Sequence, residues 1–149
     1  MQPATRVLAR PAIARRLLVT LLTLSLGTAA AAADLTIEVD GVESDKGLVS
    51  VAVFANADDF PNKITQGRRV KAMALKAVVV FKDLPPGRYA VSAYHDANEN
   101  KELDRGMFGI PKERYGFSQE ARGVAGPPEF RDAAFVLPAE GARISVRVR

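Results

Sequence analysis

The segment HDANENKELD, from His95 to Asp104, carries the side chains of this sequence best suited to chemistry. Oxygen-bearing side chains recur at the first, third, fifth, seventh and ninth positions of a loop, and they are Asp96, Asn98, Asn100, Glu102 and Asp104. This is the ligand spacing of an EF-hand-type calcium loop, in which alternate residues at a tight bend converge on one ion. The spacing therefore predicts a Ca²⁺ site at these five residues.

Two positions depart from that calcium-loop pattern. Lys101 stands at the sixth position, where glycine is usual, and a left-handed backbone there costs a residue with a Cβ about 1 to 2 kcal/mol. Met107 stands at the twelfth, so a bidentate carboxylate has to come from Glu99, Glu102 or Glu113. Binding of any ion is expected to be weak, with a Kd of about 10⁻⁴ to 10⁻³ M. The alternative is a polar turn whose Asp and Asn side chains bond their own backbone.

His95 is the only histidine, and beside Asp96 it has the composition of a general base with its partner. A hydrolase-type enzyme using His95 with Asp96 or Glu113 is therefore one alternative. Adjacent strand residues point to opposite faces, and no Gly-x-Ser-x-Gly motif is present, so a bracing role for His95 is favoured. A small-ligand carrier is a further alternative, which requires an apolar pocket faced by His95 or Arg114.

The leading interpretation is a non-enzymatic module that binds an envelope protein or a glycan. An ordered loop would fix the segment Gly106 to Ser118, where a small cluster of Met107, Phe108, Tyr115 and Phe117 is predicted. The predicted binding surface consists of His95, Lys112, Glu113, Arg114 and Tyr115.

Alternating apolar residues predict the strands that position this loop. Two hairpins are expected in the first part of the chain, one over Leu35–Phe54 and one over Phe81–Asp96, whose second strand ends at His95 and Asp96. Residues 97–129 lack a strand or helix period, and strands at 133–137 and 143–148 are expected to close the chain. About seven short strands predict a single antiparallel β-sandwich with a long irregular loop after the fifth strand.

Residues 1–33 have the features of a signal peptide, with four arginines before an apolar run and then small residues. The apolar run is shorter than a membrane-spanning helix, and no later segment is long enough to span a membrane. We therefore predict an exported domain over residues 34–149, periplasmic or secreted. Without the four arginines, 17 basic residues face 17 acidic ones, which argues against a nucleic-acid partner. The absence of cysteine excludes disulfides and thiol chemistry.

Three motifs occur in the order FKDLPPGRYAVSAYHDANENKELD, GIPKERYGFS and GPPEFRDAAFVL. With them the sequence resembles an exported bacterial family known as domain of unknown function 2141. The resemblance implies a secreted or periplasmic β-sandwich, transthyretin-like or immunoglobulin-like, with no established activity. The family's loop pattern HDxNxNGxLD maps onto His95, Asp96, Asn98, Asn100, Leu103 and Asp104, and Lys101 replaces its glycine.

Overall fold

The structure is a computed structural model that describes residues 32–73 and 75–149. The predicted signal peptide lies outside these residues, except for Ala32 and Ala33. Within them eight strands form, and in chain order they are β1 (Ala33–Asp40), β2 (Leu48–Phe54), β3 (Gln66–Lys71), β4 (Lys76–Leu84), β5 (Gly87–Asp96), β6 (Tyr115–Phe117), β7 (Phe135–Leu137) and β8 (Ala142–Arg147). The helical elements are α1 (Phe130–Ala133) and two single 3₁₀ turns, Met107–Gly109 and Ser118–Glu120. None of the described helices is both long and apolar enough to span a membrane.

The strands form two sheets, and the predicted β-rich sandwich is confirmed. One sheet has the order β4-β1-β8, and the other has the order β3-β2-β5-β6, with β7 paired to the first residues of β5. Most pairs are antiparallel, but β1 and β8 run parallel. Residues from both sheets are buried in one core, including Ile37, Val39, Val51, Val53 and Phe81. The alternation of buried and exposed residues along β1 and β4 follows from this packing on one face.

The predicted hairpins are wrong, because the strands concerned belong to different sheets. β1 pairs with β4 and β8, whereas β2 pairs with β3 and β5. The segment Phe81–Asp96 likewise crosses from one sheet to the other at Pro85 and Pro86, and β7 and β8 do not pair with each other. A period of two shows which face of a strand is buried but not which strand lies beside it.

The segment after β5 consists of two parts with different structures. Residues 97–114, the polar segment, contain no strand, whereas residues 115–133, the aromatic segment, begin with β6 and include α1. The aromatic segment packs its Phe117 and Phe130 rings against Phe60 of the β2–β3 loop, with centroids 5.7 and 5.9 Å apart. The expectation of an irregular loop over the whole of 97–129 is therefore correct only in part.

Candidate functional site

β5 ends at the site and fixes its first two side chains. His95 pairs with Val49 of β2, and its ring is 2% exposed, with Nε2 2.8 Å from the carbonyl oxygen of Lys46. The main-chain N–H of His95 donates to the carbonyl oxygen of Arg114 at 2.9 Å, which returns the polar segment to the sheet. His95 therefore braces two loops and does not contribute its ring to a surface.

The buried carboxylate of Asp96 organises the bend that follows. Its Oδ1 accepts the N–H of Asn100 at 3.1 Å, and its Oδ2 accepts the N–H of Lys101 at 2.8 Å. Lys101 adopts the left-handed conformation, with φ 69°, as expected for the position that is usually glycine. The turn before β2 lies so close that a Cβ on Gly47 would overlap the carbonyl oxygen of Asp96. A residue larger than glycine at position 47 would therefore displace the start of the loop.

Asn98, Asn100 and Asp104 complete the loop through their side chains. The Nδ2 groups of Asn98 and Asn100 donate to the two carboxylate oxygens of Asp104, each at 2.8 Å. Each Oδ1 atom accepts the main-chain N–H two residues further along the chain. Oδ1 of Asn98 accepts the N–H of Asn100, and Oδ1 of Asn100 accepts the N–H of Glu102. The Asp and Asn side chains predicted from the spacing therefore meet in one hydrogen-bonded network.

Glu113 closes the loop from the other side. Its Oε1 accepts the N–H of Ala97 at 3.2 Å, and its Oε2 accepts the N–H of Asp104 at 3.0 Å. Of the three glutamates that were candidates to reach the loop, Glu113 is the one whose carboxylate does so. Glu102 joins the network through its main-chain N–H, and its side chain is exposed.

The other predicted binding residues each make different contacts. Lys112 is exposed, and its main-chain N–H donates to the carbonyl oxygen of Asp104 at 2.8 Å. Arg114 is exposed and donates from Nη1 to the carbonyl oxygen of Gly41 at 3.0 Å. Tyr115 is half-buried in β6, with its ring 6.0 Å from that of Phe117. Lys112 and Arg114 are thus the two predicted residues that present charge to solvent.

The sequence interpretation missed a short hairpin, residues 104–112, which we call the tip hairpin. Met107 and Phe108, near its turn, were expected to pack with Tyr115 and Phe117. The side chains of Met107 and Phe108 are instead exposed, Phe108 by 92%. Ile110 is exposed as well. The available signal was the apolar sequence MFGI between Arg105 and Lys112, with no apolar partner spaced to cover it.

The loop contains side-chain oxygens of the kinds that bind Ca²⁺ in proteins. Two carboxylates, Asp96 and Asp104, and the amide groups of Asn98 and Asn100 lie in one network, which Glu113 joins through the N–H of Asp104. Within residues 32–73 and 75–149, no three histidine or carboxylate side chains form a group suited to a metal, so a site here depends on amide oxygens. Ion binding would replace the two hydrogen bonds from the asparagine Nδ2 groups to Asp104.

The geometry does not favour the enzyme alternative. Nε2 of His95 is occupied by the Lys46 carbonyl, and both oxygens of Asp96 and of Glu113 accept main-chain N–H groups. Among the described residues, neither carboxylate hydrogen-bonds to the imidazole. Within residues 32–73 and 75–149, the three side chains His95, Asp96 and Glu113 therefore bond to main-chain groups and not to one another.

A cavity of about 400 Å³ lies beside β6, between the end of β8 and the aromatic segment. Its lining is mixed, with the aromatic rings of Tyr115 and Phe117 and the side chains of Arg122, Arg147 and Arg149. Neither His95 nor Arg114 lines it, so it is not the apolar pocket that the carrier alternative requires.

Fold and site together define a small β-sandwich module with an asparagine-rich acidic loop at one end. The chain belongs to the family described as "Uncharacterized protein conserved in bacteria (DUF2141)", which matches residues 37–145, and the family resemblance is thereby confirmed. Comparison with curated proteins gives no match, and neither does comparison with solved structures.

Proposed function

We propose that this protein is an exported, non-enzymatic binding module whose functional surface is the polar segment. Ca²⁺ is its structural ion, bound by the side chains of Asp96, Asn98, Asn100 and Asp104. The main-chain carbonyl of Glu102 stands at the seventh position, which supplies a main-chain oxygen in EF-hand loops.

The observation that carries the proposal is the meeting of Asn98 and Asn100 at both oxygens of Asp104, each at 2.8 Å, beside the buried Asp96. Simple turn chemistry needs one side-chain acceptor, whereas here four polar side chains converge. Once the two asparagine Nδ2 groups that donate to Asp104 turn away, a cation here would be bound by oxygens alone, as Ca²⁺ prefers.

The role of the ion is to stabilise the base of the tip hairpin. Asp104 is both a proposed ligand and the first residue of that hairpin. The carboxylate of Glu113 accepts the N–H groups of both Asp104 and Ala97. A stabilised base presents the exposed side chains of the tip in one orientation to a partner in the cell envelope. No observation favours the hydrolase or carrier alternatives over this function.

Thermal unfolding of the purified protein, in chelator and in about 10 mM Ca²⁺, tests the proposal. With a Kd of about 10⁻⁴ M, mass action predicts about 2.7 kcal/mol of stabilisation and a rise in Tm of about 10 °C. Asp104→Ala should abolish the rise, because it removes a ligand carboxylate. Asp58→Ala is the matched control, since Asp58 is an exposed aspartate in the β2–β3 loop.

Equal Tm values for the parent in chelator and in calcium would contradict the proposal that the protein binds Ca²⁺. An equal rise in the parent and in Asp104→Ala would place the ion elsewhere. Either result would leave the polar segment as a hydrogen-bonded turn.

A further inference from the structure

Two loops of the described structure carry exposed apolar side chains at their tips. The tip hairpin exposes Met107, Phe108 and Ile110, and the turn between β3 and β4 exposes Met73, by 77%, and Leu75. Clustered exposed apolar side chains mark interaction sites more often than single scattered ones do.

Both loops lie at the same end of the sandwich. Leu48, the first residue of β2, pairs with Asp96 at the end of β5 and with Lys71 at the end of β3. The polar segment and the β3–β4 turn therefore leave the sheet at the same end of its strands. A hydrogen bond from Nη2 of Arg69 to the carbonyl oxygen of Lys101, at 3.3 Å, connects β3 to the polar segment.

The tips are held in fixed conformations by main-chain hydrogen bonds. In the tip hairpin, Gly106 N–H donates to the Ile110 carbonyl at 2.7 Å, and Arg105 Nη1 donates to the Gly109 carbonyl at 2.9 Å. Phe108 itself is left-handed, with φ 63°. The exposure of its ring is therefore a property of the folded hairpin.

The β3–β4 turn has the same character. Met73 and Lys76 exchange main-chain hydrogen bonds at 2.8 and 3.1 Å, and Leu75 is left-handed, with φ 63°. The side-chain Oδ1 of Asp45 accepts the N–H of Leu75 at 2.9 Å, which ties this turn to the β1–β2 turn. Two separate turns thus present large apolar residues in a conformation that such residues seldom adopt.

Basic residues flank both apolar tips. Arg105 and Lys112 border the sequence GMFGIP, and Lys71 and Lys76 border AMAL, with no acidic residue within either stretch. The ammonium of Lys76 pairs with Asp40 at 3.1 Å, so the other three residues supply the positive charge beside the tips. The carboxylates of Asp96, Asp104 and Glu113 are engaged in the loop network below. Glu43, Asp45, Glu99 and Glu102 are exposed acids at this end that lie outside the two tips in sequence, and of these the Asp45 carboxylate contacts a tip through the N–H of Leu75.

We propose that this end of the sandwich docks onto an anionic phospholipid bilayer. Met107, Phe108 and Leu75 enter the headgroup region while Lys112 and Arg105 contact lipid phosphates, the arrangement of interfacial segments with long cationic side chains. A protein partner is disfavoured, because the exposed apolar residues are divided between two short turns, whereas a stable protein interface covers a continuous area of about 800 Å² on each side. This inference rests on the proposed function for its surface and specifies the partner.

Co-sedimentation of the purified exported protein with vesicles of equal parts phosphatidylcholine and phosphatidylglycerol tests the inference, with and without Ca²⁺. The parent should bind, and Phe108→Asn should weaken binding about tenfold, because one buried aromatic ring is worth at least that factor. Asn keeps the left-handed backbone available, and Leu75→Asn tests the second tip in the same way. Lys112→Gln should weaken binding at low salt but less at high salt.

Val124→Asn is the matched control, because Val124 is fully exposed in the aromatic segment, away from these tips. It should bind like the parent, and all variants should keep the parent Tm. No binding of the parent, or equal binding of parent and Phe108→Asn, overturns the inference. If the parent binds proteins extracted from membranes in a way that depends on Phe108, but does not bind protein-free vesicles, the surface belongs to a protein partner. That result also overturns the inference. Because Tm in Ca²⁺ is measured separately, failure of the lipid partner and failure of the calcium loop are distinguishable.

Discussion

The polar segment and the aromatic segment follow one another in the chain, but different interactions attach them to the sandwich. Residues 97–114 are held by the carboxylates of Asp96, Asp104 and Glu113, whereas residues 115–133 are held by phenylalanine rings around Phe60. In the aromatic segment the buried Ser118 adds hydrogen bonds to Val91 N–H and to the Ala133 carbonyl.

The type of anchor determines whether the apolar side chains of a segment are buried or exposed. A segment anchored by its own apolar residues buries them, as Phe117 is buried. A segment anchored by carboxylates and amides leaves Met107 and Phe108 exposed, so that they can contact a partner. The polar segment therefore keeps its apolar side chains at the surface, whereas the aromatic segment buries them in the core.

The largest effect is expected in the aromatic segment. Phe117→Ala removes a ring that packs against Phe60 and should lower the free energy of unfolding by about 3 kcal/mol. Denaturant unfolding measures this change. Phe108→Ala is the matched comparison, and its loss should be small, because the ring is exposed. Similar losses for the two variants would remove the distinction between the segments.

A smaller loss is expected for Asp96→Ala. The variant leaves the N–H groups of Asn100 and Lys101 without their acceptor, at a cost of about 2 kcal/mol. Asp96→Asn keeps one carbonyl acceptor and should lose less. Denaturant midpoints of the two variants measure the difference. A stability of Asp96→Ala equal to that of the parent would show that the carboxylate does not anchor the polar segment.

Replacing Lys101 by glycine should stabilise the protein by about 1 kcal/mol. The reason is that Lys101 has φ 69°, a conformation that glycine adopts without a Cβ penalty. Lys71→Gly, in β3, is the control and should destabilise, because glycine weakens a strand. A loss of stability in Lys101→Gly would mean that the lysine side chain contributes more than its backbone conformation costs.

Tyr89, which lies outside both segments, gives a reference for how a buried hydroxyl contributes to stability. Burial raises the pKa of its hydroxyl above the ordinary value of 10.0. The folded state therefore holds this proton more tightly, and its contribution to stability is present below pH 10 and is lost as pH rises through the folded-state pKa. Tyr89→Phe should be less stable than the parent at neutral pH, because it loses the hydrogen bond to the Pro85 carbonyl, but the gap should narrow above pH 10. A gap that is constant with pH would contradict the shift.

The sequence predicted the sandwich and the residues of the polar loop but not the strand partners. Alternation in β1 and β2 reports a buried face, whereas the parallel pairing of β1 with β8 depends on contacts between distant parts of the chain. The convergence of Asn98, Asn100 and Asp104 follows from local spacing and was predictable. The approach of Glu113 was one of three options, and the exposure of Phe108 depends on the hydrogen bonds that close the tip hairpin.

Amide hydrogen exchange in the parent and in Glu113→Ala tests whether the carboxylate network anchors the polar segment. In the parent, the N–H groups of Ala97 and Asp104 should be protected, because they donate to Glu113. The variant should lose that protection along residues 97–104, while the amides of Val91 and Ala121 keep theirs through Ser118. Unchanged protection of Ala97 and Asp104 in Glu113→Ala would contradict the account.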